Sequence, residues 1–285
     1  MVKTLLRSLR QYKNVSLLTI LFSMLEVVFE IIIPLCMIFY YGLTDRSGAF
    51  TFENVAAISS PEHMKALITA LVLSLISTVV CLALAYPLAM ILAGRHVSQQ
   101  SFIVLIFILP MWMNFLLRTL AWQTLLEKTG VINSVLSFFG LPTLNIINTP
   151  GAIILGMVYN FLPFMVLQIN TALCKMDPSL LEASADLGAN RVQTFRRVTL
   201  PLSLPGVING ITLVFLPAVS SFFIPKLLGG GQYFLIGNMI ENQFITVGEW
   251  NFGSAISMIM AVIMMVMMMA VRKVEKRNRG GKEEE

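Results

Sequence analysis

The chain has 285 residues, of which 56% are hydrophobic and only 12% charged, with a mean hydropathy of +0.80. Soluble globular chains carry about 25% charged residues, so most side chains here must face something other than water, and a bilayer supplies it. The net charge of +5 would suit nucleic acid only if the basic residues clustered on a soluble module, and none is visible; the wealth of Leu, Ile, Val, Phe and Met excludes a disordered chain.

In chain order, residues 1–14 carry Lys3, Arg7, Arg10 and Lys13 and read as a basic N-terminus. The apolar run that follows is too long for the core of a signal peptide and no small-residue cleavage site succeeds it, so it is predicted as a retained first span. A helix needs about 20 mainly apolar residues to cross a bilayer. Six segments qualify: 15–41, 66–93, 102–126, 152–173, 202–224 and 252–271. Pro34, Pro87, Pro110, Pro163, Pro205 and Pro217 lie in or at the edge of these runs, which bundled membrane helices tolerate. Residues 44–62 and 127–150 are the external connections. The second of these carries Val131, Ile132, Val135, Leu136, Phe138 and Phe139, the pattern of a short amphipathic helix at the membrane interface. Residues 272–285 form a solvated tail.

Lys and Arg prefer the cytoplasmic side of a membrane. With the N-terminus inside, fifteen of the twenty fall on inner segments and five on outer ones, so both termini are predicted to be cytoplasmic. The expected organisation is all-α: a tail at each end of one six-span domain, 15–271, in the inner cell membrane.

Residues 175–201 form the informative inner connection. Asp177 followed by Pro178 is a good helix start, and Gly188 suits the left-handed position that closes a helix. Asn190 with Gln193 three residues on has the form of a capping box. A second short helix is expected to begin there and to end near Pro201. The product is a helix–turn–helix knuckle with Leu180, Leu181, Ser184 and Leu187 on one face of its first helix. Such a knuckle suits docking a protein; the plainer alternative is an ordinary connection between spans.

Glu182-Ala183-Ser184, then Gly188, Val198, Leu200 and Pro201, stand at the spacing of the EAA motif (E-A-A, three residues, G, nine residues, I, one residue, L-P), with Ser184 for the second alanine and Val198 for isoleucine. The segment thereby resembles the coupling helix of ABC importer permeases. Pro110-Met111-Trp112, Pro163-Phe164-Met165, Leu235-Ile236-Gly237-Asn238, Gln243-Phe244 and Trp250-Asn251-Phe252-Gly253 extend the resemblance to the spermidine/putrescine (PotB-like) permeases, over about residues 31–271. Glu26 and Glu30 depart from it: the first span of that family is usually uncharged.

The resemblance implies a type I importer permease fold that works by alternating access, with Glu182, Ala183, Ser184, Gly188, Leu200 and Pro201 coupling it to an ATPase. It also implies an ATP-binding subunit dimer using ATP and Mg, a second (PotC-like) permease and an extracytoplasmic substrate-binding protein. The chain itself shows no P-loop sequence, no H-E-x-x-H and no G-x-S-x-G; its two histidines, His63 and His96, cannot form a histidine-built metal site. No cofactor or metal is expected on it. Cys36, Cys81 and Cys174 lie far apart and read as small apolar side chains. The methionines of the last span suggest a Cu(I) path, but Met267 to Met269 point around the helix and read as adaptable packing.

A polyamine path needs carboxylates and aromatic faces. Glu241, Glu249, Trp250 and Tyr233 in the last external connection, with Trp112, Trp122, Tyr159 and Asn160 in the third and fourth spans, are the candidates. Aromatic belts and solvated loop glutamates are the plainer alternative. Thiosulfate, ferric iron or an aminophosphonate as cargo, a standalone channel, and a membrane-anchored enzyme are the competing functions.

Overall fold

A computed structural model describes residues 19, 22–23, 25–94, 105 and 107–280, the side chains of 274–280 excepted. The N-terminal tail, the first residues of the first span, and Arg95 and His96 lie outside these. Two compact units are formed, one from residues 1–59 and 243–261, the other from 60–242 and 262–285. Among the described residues five helices are long and apolar enough to span a membrane: Leu25–Gly42, Pro61–Ala93, Pro150–Cys174, Arg191–Ser220 and Trp250–Lys273.

In the first unit, α1 (Leu25–Gly42) contains a π-helical turn at Val28–Ile32, where the amide of Ile33 reaches back to the Val28 carbonyl. Pro34 follows after Ile33. A proline ring clashes with the carbonyl four residues earlier, and widening the preceding turn relieves that clash. Glu26 and Glu30 flank or enter this turn; both are exposed and neither has a partner among the described residues. A short helix, α2 (Glu53–Ala57), lies in the connection that follows.

The second unit is built on α3 (Pro61–Ala93), α6 (Pro150–Cys174) and α8 (Arg191–Ser220), each packed against the other two. The buried stripe of α3 is small: Ala66, Ala70, Ser74, Ser77, Cys81, Ala85 and Ala89. Leu73, Tyr86 and Leu92 are buried beside it, but many of the helix's large residues, including Ile68, Val72, Leu75, Val79 and Ile91, are exposed. That inverts the pattern of a soluble helix, because in lipid close approach between helices, not burial of bulk, holds a bundle together. The small stripe admits Ile153, Met157, Met165 and Ile169 of α6, all fully buried. On α8, Gly206 allows the same approach: a Cβ there would lie 2.7 Å from the Gln168 carbonyl oxygen and 2.5 Å from the Ala172 Cβ.

Three sequence-based expectations need correction. The segment 102–126 is not one helix in its described part. A helical stretch, 107–112, stops, and Asn114 starts α4 (Phe115–Leu126) by accepting from the Leu116 and Leu117 amides at 2.9 and 3.4 Å. The Arg118 side chain, 7% exposed, donates to the Pro110 carbonyl at 2.7 Å, which also accepts from the Met113 amide at 3.2 Å, and so ties the two sides of the break together. Second, the fifth span does not start at residue 202 or run to 224. Its helix begins at Arg191 and ends at Ser220. Third, the last helix, α11 (Trp250–Gly280), does not stop at Val271 but continues into the tail.

Between α4 and α6, α5 (Val131–Phe138) forms where the amphipathic pattern predicts it, with Val131, Val135, Phe138 and Phe139 exposed. Buried Asn133 anchors it, donating to the Glu127 and Leu144 carbonyls at 3.1 and 2.9 Å and accepting from the Leu144 amide at 2.7 Å.

Candidate functional site

The knuckle is assembled from local signals. Asp177 accepts from the Ser179 amide at 3.0 Å and opens α7 (Ser179–Asp186). The same contact with Ser179, through its backbone first, holds the Asp177 carboxyl below the ordinary carboxylate range. At the far end Gly188 takes φ +76°, with nothing within 4 Å of where its Cβ would stand. Glycine is used there for its backbone alone, since other residues resist the left-handed region. The capping box is present: the Asn190 side chain accepts from the Gln193 amide and the Gln193 side chain from the Asn190 amide, each at 2.9 Å.

The expected stop near Pro201 is absent. A π-helical turn at Phe195–Thr199, closed by the Leu200 amide on the Phe195 carbonyl, passes the proline into the helix interior. As at Pro34, the wide turn ends one residue short of the proline. The second arm of the knuckle is therefore continuous with α8. Leu200 and Pro201 sit in that continuous helix, both exposed.

Ser184, the residue that replaces the second alanine, is buried, and its hydroxyl meets that of Thr194 at 2.8 Å. That contact ties α7 to the start of α8. Glu182 and Ala183 are exposed, as are Leu180, Leu181 and Leu187, the last by 88%. Farther in, the Phe195 ring meets Tyr86 of α3 edge to face at 5.5 Å, and the Tyr86 hydroxyl lies 2.6 Å from that of Ser203. A force on α7 thus has a packed route into α8 and α3. Phe195, Tyr86 and Ser203 were invisible as a group in the sequence, because nothing local joins positions so far apart.

The candidate path residues fall into separate places. Glu249 and Trp250 line one cavity of about 700 Å³ in the first unit, with Tyr41, Asp45, Arg46 and Asn54. Trp250 packs on Tyr41 and Phe244 at centroid distances of 6.3 and 5.7 Å, and Glu249 is ion-paired to Arg46. Asp45, missed by sequence reasoning, accepts from the Ser47 hydroxyl at 2.6 Å and the Ala49 amide at 2.9 Å. Those contacts, the Ser47 hydroxyl foremost, keep its carboxyl below the usual range and hence ionised near neutrality. Asn251 joins this region by donating to the carbonyls of Tyr41 and Thr44 at 3.1 and 2.8 Å.

Glu241 stands in the second unit, at the end of α10 (Ile236–Glu241), with Lys226 of α9 (Phe223–Leu228) 2.6 Å away. Tyr233 is half-buried. Trp122 and Tyr159 meet edge to face at 5.2 Å, and the Arg118 guanidinium lies 5.9 Å from the Tyr159 ring centre. Trp112 is 80% exposed at the end of the stretch 107–112. Asn160 is buried, donating to the Gly156 carbonyl at 2.8 Å inside α6. Among the described residues no group of three or more His, Cys, Asp or Glu is placed to hold a metal ion.

Comparison with known proteins gives this geometry a family. Residues 85–280 match the family described as binding-protein-dependent transport system inner membrane component. The chain is 36% identical over 265 residues to the spermidine/putrescine transport system permease protein PotB of Haemophilus influenzae, covering 90% of this chain and 92% of that one. Identity to the protein of the same name in Escherichia coli K12 is 36% over 251 residues, covering 85% and 91%. Among solved structures, a bacterial ABC transporter involved in import of the acidic polysaccharide alginate superposes with a TM-score of 0.73 at 19% identity, covering 94% of this chain and 99% of that one. The MetNI methionine ABC transporter in an inward-facing conformation gives 0.56 at 20% identity, covering 77% and 99%. At such identities the structural likeness speaks for the fold, while the sequence matches, which span the knuckle and the helices on either side of it, speak for descent. The chain therefore belongs to the binding-protein-dependent transport system inner membrane component family, as a multi-pass membrane permease component.

Proposed function

We propose that this chain is one of two permease subunits of an ATP-driven importer of polyamines, with spermidine and putrescine as its cargo. The observation that carries the reading is the 36% identity over 90% of the chain to a spermidine/putrescine permease. The chain crosses the membrane six times, the broken segment around Asn114 supplying the span beyond the five long helices, and both termini are cytoplasmic. A dimer of ATP-hydrolysing subunits, using ATP and Mg, docks on α7 through Glu182, Ala183 and the exposed leucines, with Gly188 shaping the knuckle and Ser184 joining it to α8. A second, PotC-like permease completes the path, and an extracytoplasmic protein delivers the solute.

The cavity at Glu249 is the outer cargo site in this reading. Its ring pair offers faces to a cation, and its carboxylates accept ammonium groups. Arg46 already occupies Glu249, so an arriving ammonium exchanges with a resident guanidinium; Lys226 sets up the same exchange at Glu241. An exposed pair such as Arg46–Glu249 contributes only about 0–1 kcal/mol, small enough for a polycation to displace; the Glu241 side chain is more covered, 16% exposed. Trp112, Trp122, Tyr159 and Tyr233 are assigned to flank the path, and Asn160, buried inside α6, to support it from behind.

Glu249→Gln tests the outer site. It removes the charge and keeps the shape, and the fold should hardly notice. Uptake of labelled spermidine by the reconstituted transporter is expected to show a half-saturating concentration raised about tenfold, the usual scale of a lost charge-assisted hydrogen bond. Unchanged half-saturation removes Glu249 from the path.

A further inference from the structure

An open cavity of about 470 Å³ lies between α6 and α8, beside the start of α7. Its lining combines Gln168, Thr171, Asn209, Lys175 and Asp177 with apolar walls that include Leu202 and Pro205. Gln168 and Asn209 sit within helices otherwise apolar enough to span a membrane, and among the described residues neither side chain has a hydrogen-bond partner. A partnerless amide is strongly disfavoured in hydrocarbon, so this face must meet water or protein. The Thr171 hydroxyl donates its proton to the Leu167 carbonyl at 2.7 Å, which leaves its oxygen free to accept. Asp177 adds a carboxylate fixed by its bond to the Ser179 amide. Acceptors on Gln168, Asn209, Thr171 and Asp177 thus stand unused along an apolar slot, beside the amide N–H groups and the Lys175 ammonium as donors.

We infer that this cavity is a release station for a linear polyamine at the α7 end of the path. The Gln168 and Asn209 amide oxygens and the Asp177 carboxylate take its ammonium groups, while its methylene carbons lie on Leu202 and Pro205. Lys175, at the same mouth, opposes the cation and keeps the hold weak; a conducting site must bind enough to admit its cargo and little enough to let it leave. Because Asp177 opens α7, cargo in the station touches the element on which the ATPase is proposed to act. The inference rests on the polyamine reading above.

The test uses the whole transporter, with its ATPase, second permease and binding protein. Labelled spermidine retained by the nucleotide-free solubilised complex is measured by equilibrium dialysis, and uptake is measured in proteoliposomes. Gln168→Leu with Asn209→Leu is expected to lower retention about tenfold, the scale of losing hydrogen bonds to a charged group, and to slow maximal uptake while half-saturation by loaded binding protein stays put. Lys175→Gln is expected to raise retention. The station is overturned if the double variant retains and transports spermidine like the wild type, or if it loses the second permease on purification, which would make this face a subunit interface. A wild-type complex that takes up no polyamine overturns the cargo reading and the station together; normal wild-type uptake matched by the double variant overturns the station alone.

Discussion

Exchange of Glu182 for lysine is expected to lower ATP-driven uptake about a hundredfold, because placing like charges across a contact costs several kcal/mol, while leaving the chain folded and inserted. The reasoning starts from what Glu182 does not do. It is exposed and has no side-chain partner among the described residues, so no internal contact is lost. Its one local service is to put negative charge in the first turn of α7, where it complements the helix dipole by about 0.3–1 kcal/mol. A large functional loss must therefore arise outside the chain, at the ATPase. Ser184 gives the contrast, since it is buried and bonded to Thr194; Ser184→Leu should damage the knuckle itself. Co-purification of the ATPase with each variant, alongside thermal unfolding of the permease, separates the two. Glu182→Lys should lose the ATPase at wild-type melting temperature, and retained ATPase with normal uptake would sink the docking role.

The second large effect is expected in the other unit. Asn251→Leu should destabilise the region around the end of α1 by about 0.5–1.5 kcal/mol, the net worth of a hydrogen bond, since the acceptors it leaves keep one other donor each. One amide nitrogen there serves the carbonyls of Tyr41 and Thr44, and approaches the Asp45 carbonyl at 3.3 Å. A helix leaves its last carbonyls short of internal partners. The Thr44 amide reaches the Tyr41 carbonyl at 3.4 Å and the Asn54 side chain the Thr44 carbonyl at 2.9 Å, and Asn251, from the start of α11, adds a second donor to each. Leucine keeps the volume and removes the donor. Hydrogen exchange over residues 40–55 reads the result directly. Faster exchange confined to this stretch is expected, and unchanged protection would show that water replaces Asn251 without loss.

The knuckle was legible because its signals are local. Asp177, Gly188, Asn190 and Gln193 each act within four residues of themselves, and all four do in the structure what their chemistry predicts. The continuity of its second arm with α8 was not legible from Pro201 taken as a stop, although Pro34 and Pro201 share a readable trait: each follows a π-helical turn that makes room for the ring. Asn114 was hidden for a different reason. It lies in a run apolar enough to pass as one helix, and only its capping bonds show that the run is broken. The site residues divide along the same line. Glu249 and Trp250 were suggested by chemistry, whereas Asp45, Arg46 and Tyr41 join them across some two hundred positions of sequence. The partnerless state of Gln168 and Asn209 became meaningful only once the faces of α6 and α8 were known.

The central claim is that this permease serves a polyamine importer, and the most direct measurement is solute-dependent ATP hydrolysis by the complete transporter in proteoliposomes. Spermidine or putrescine, presented with the binding protein, is expected to stimulate hydrolysis and to accumulate inside the vesicles. Stimulation and uptake with thiosulfate, ferric iron or an aminophosphonate, and none with either polyamine, would contradict it.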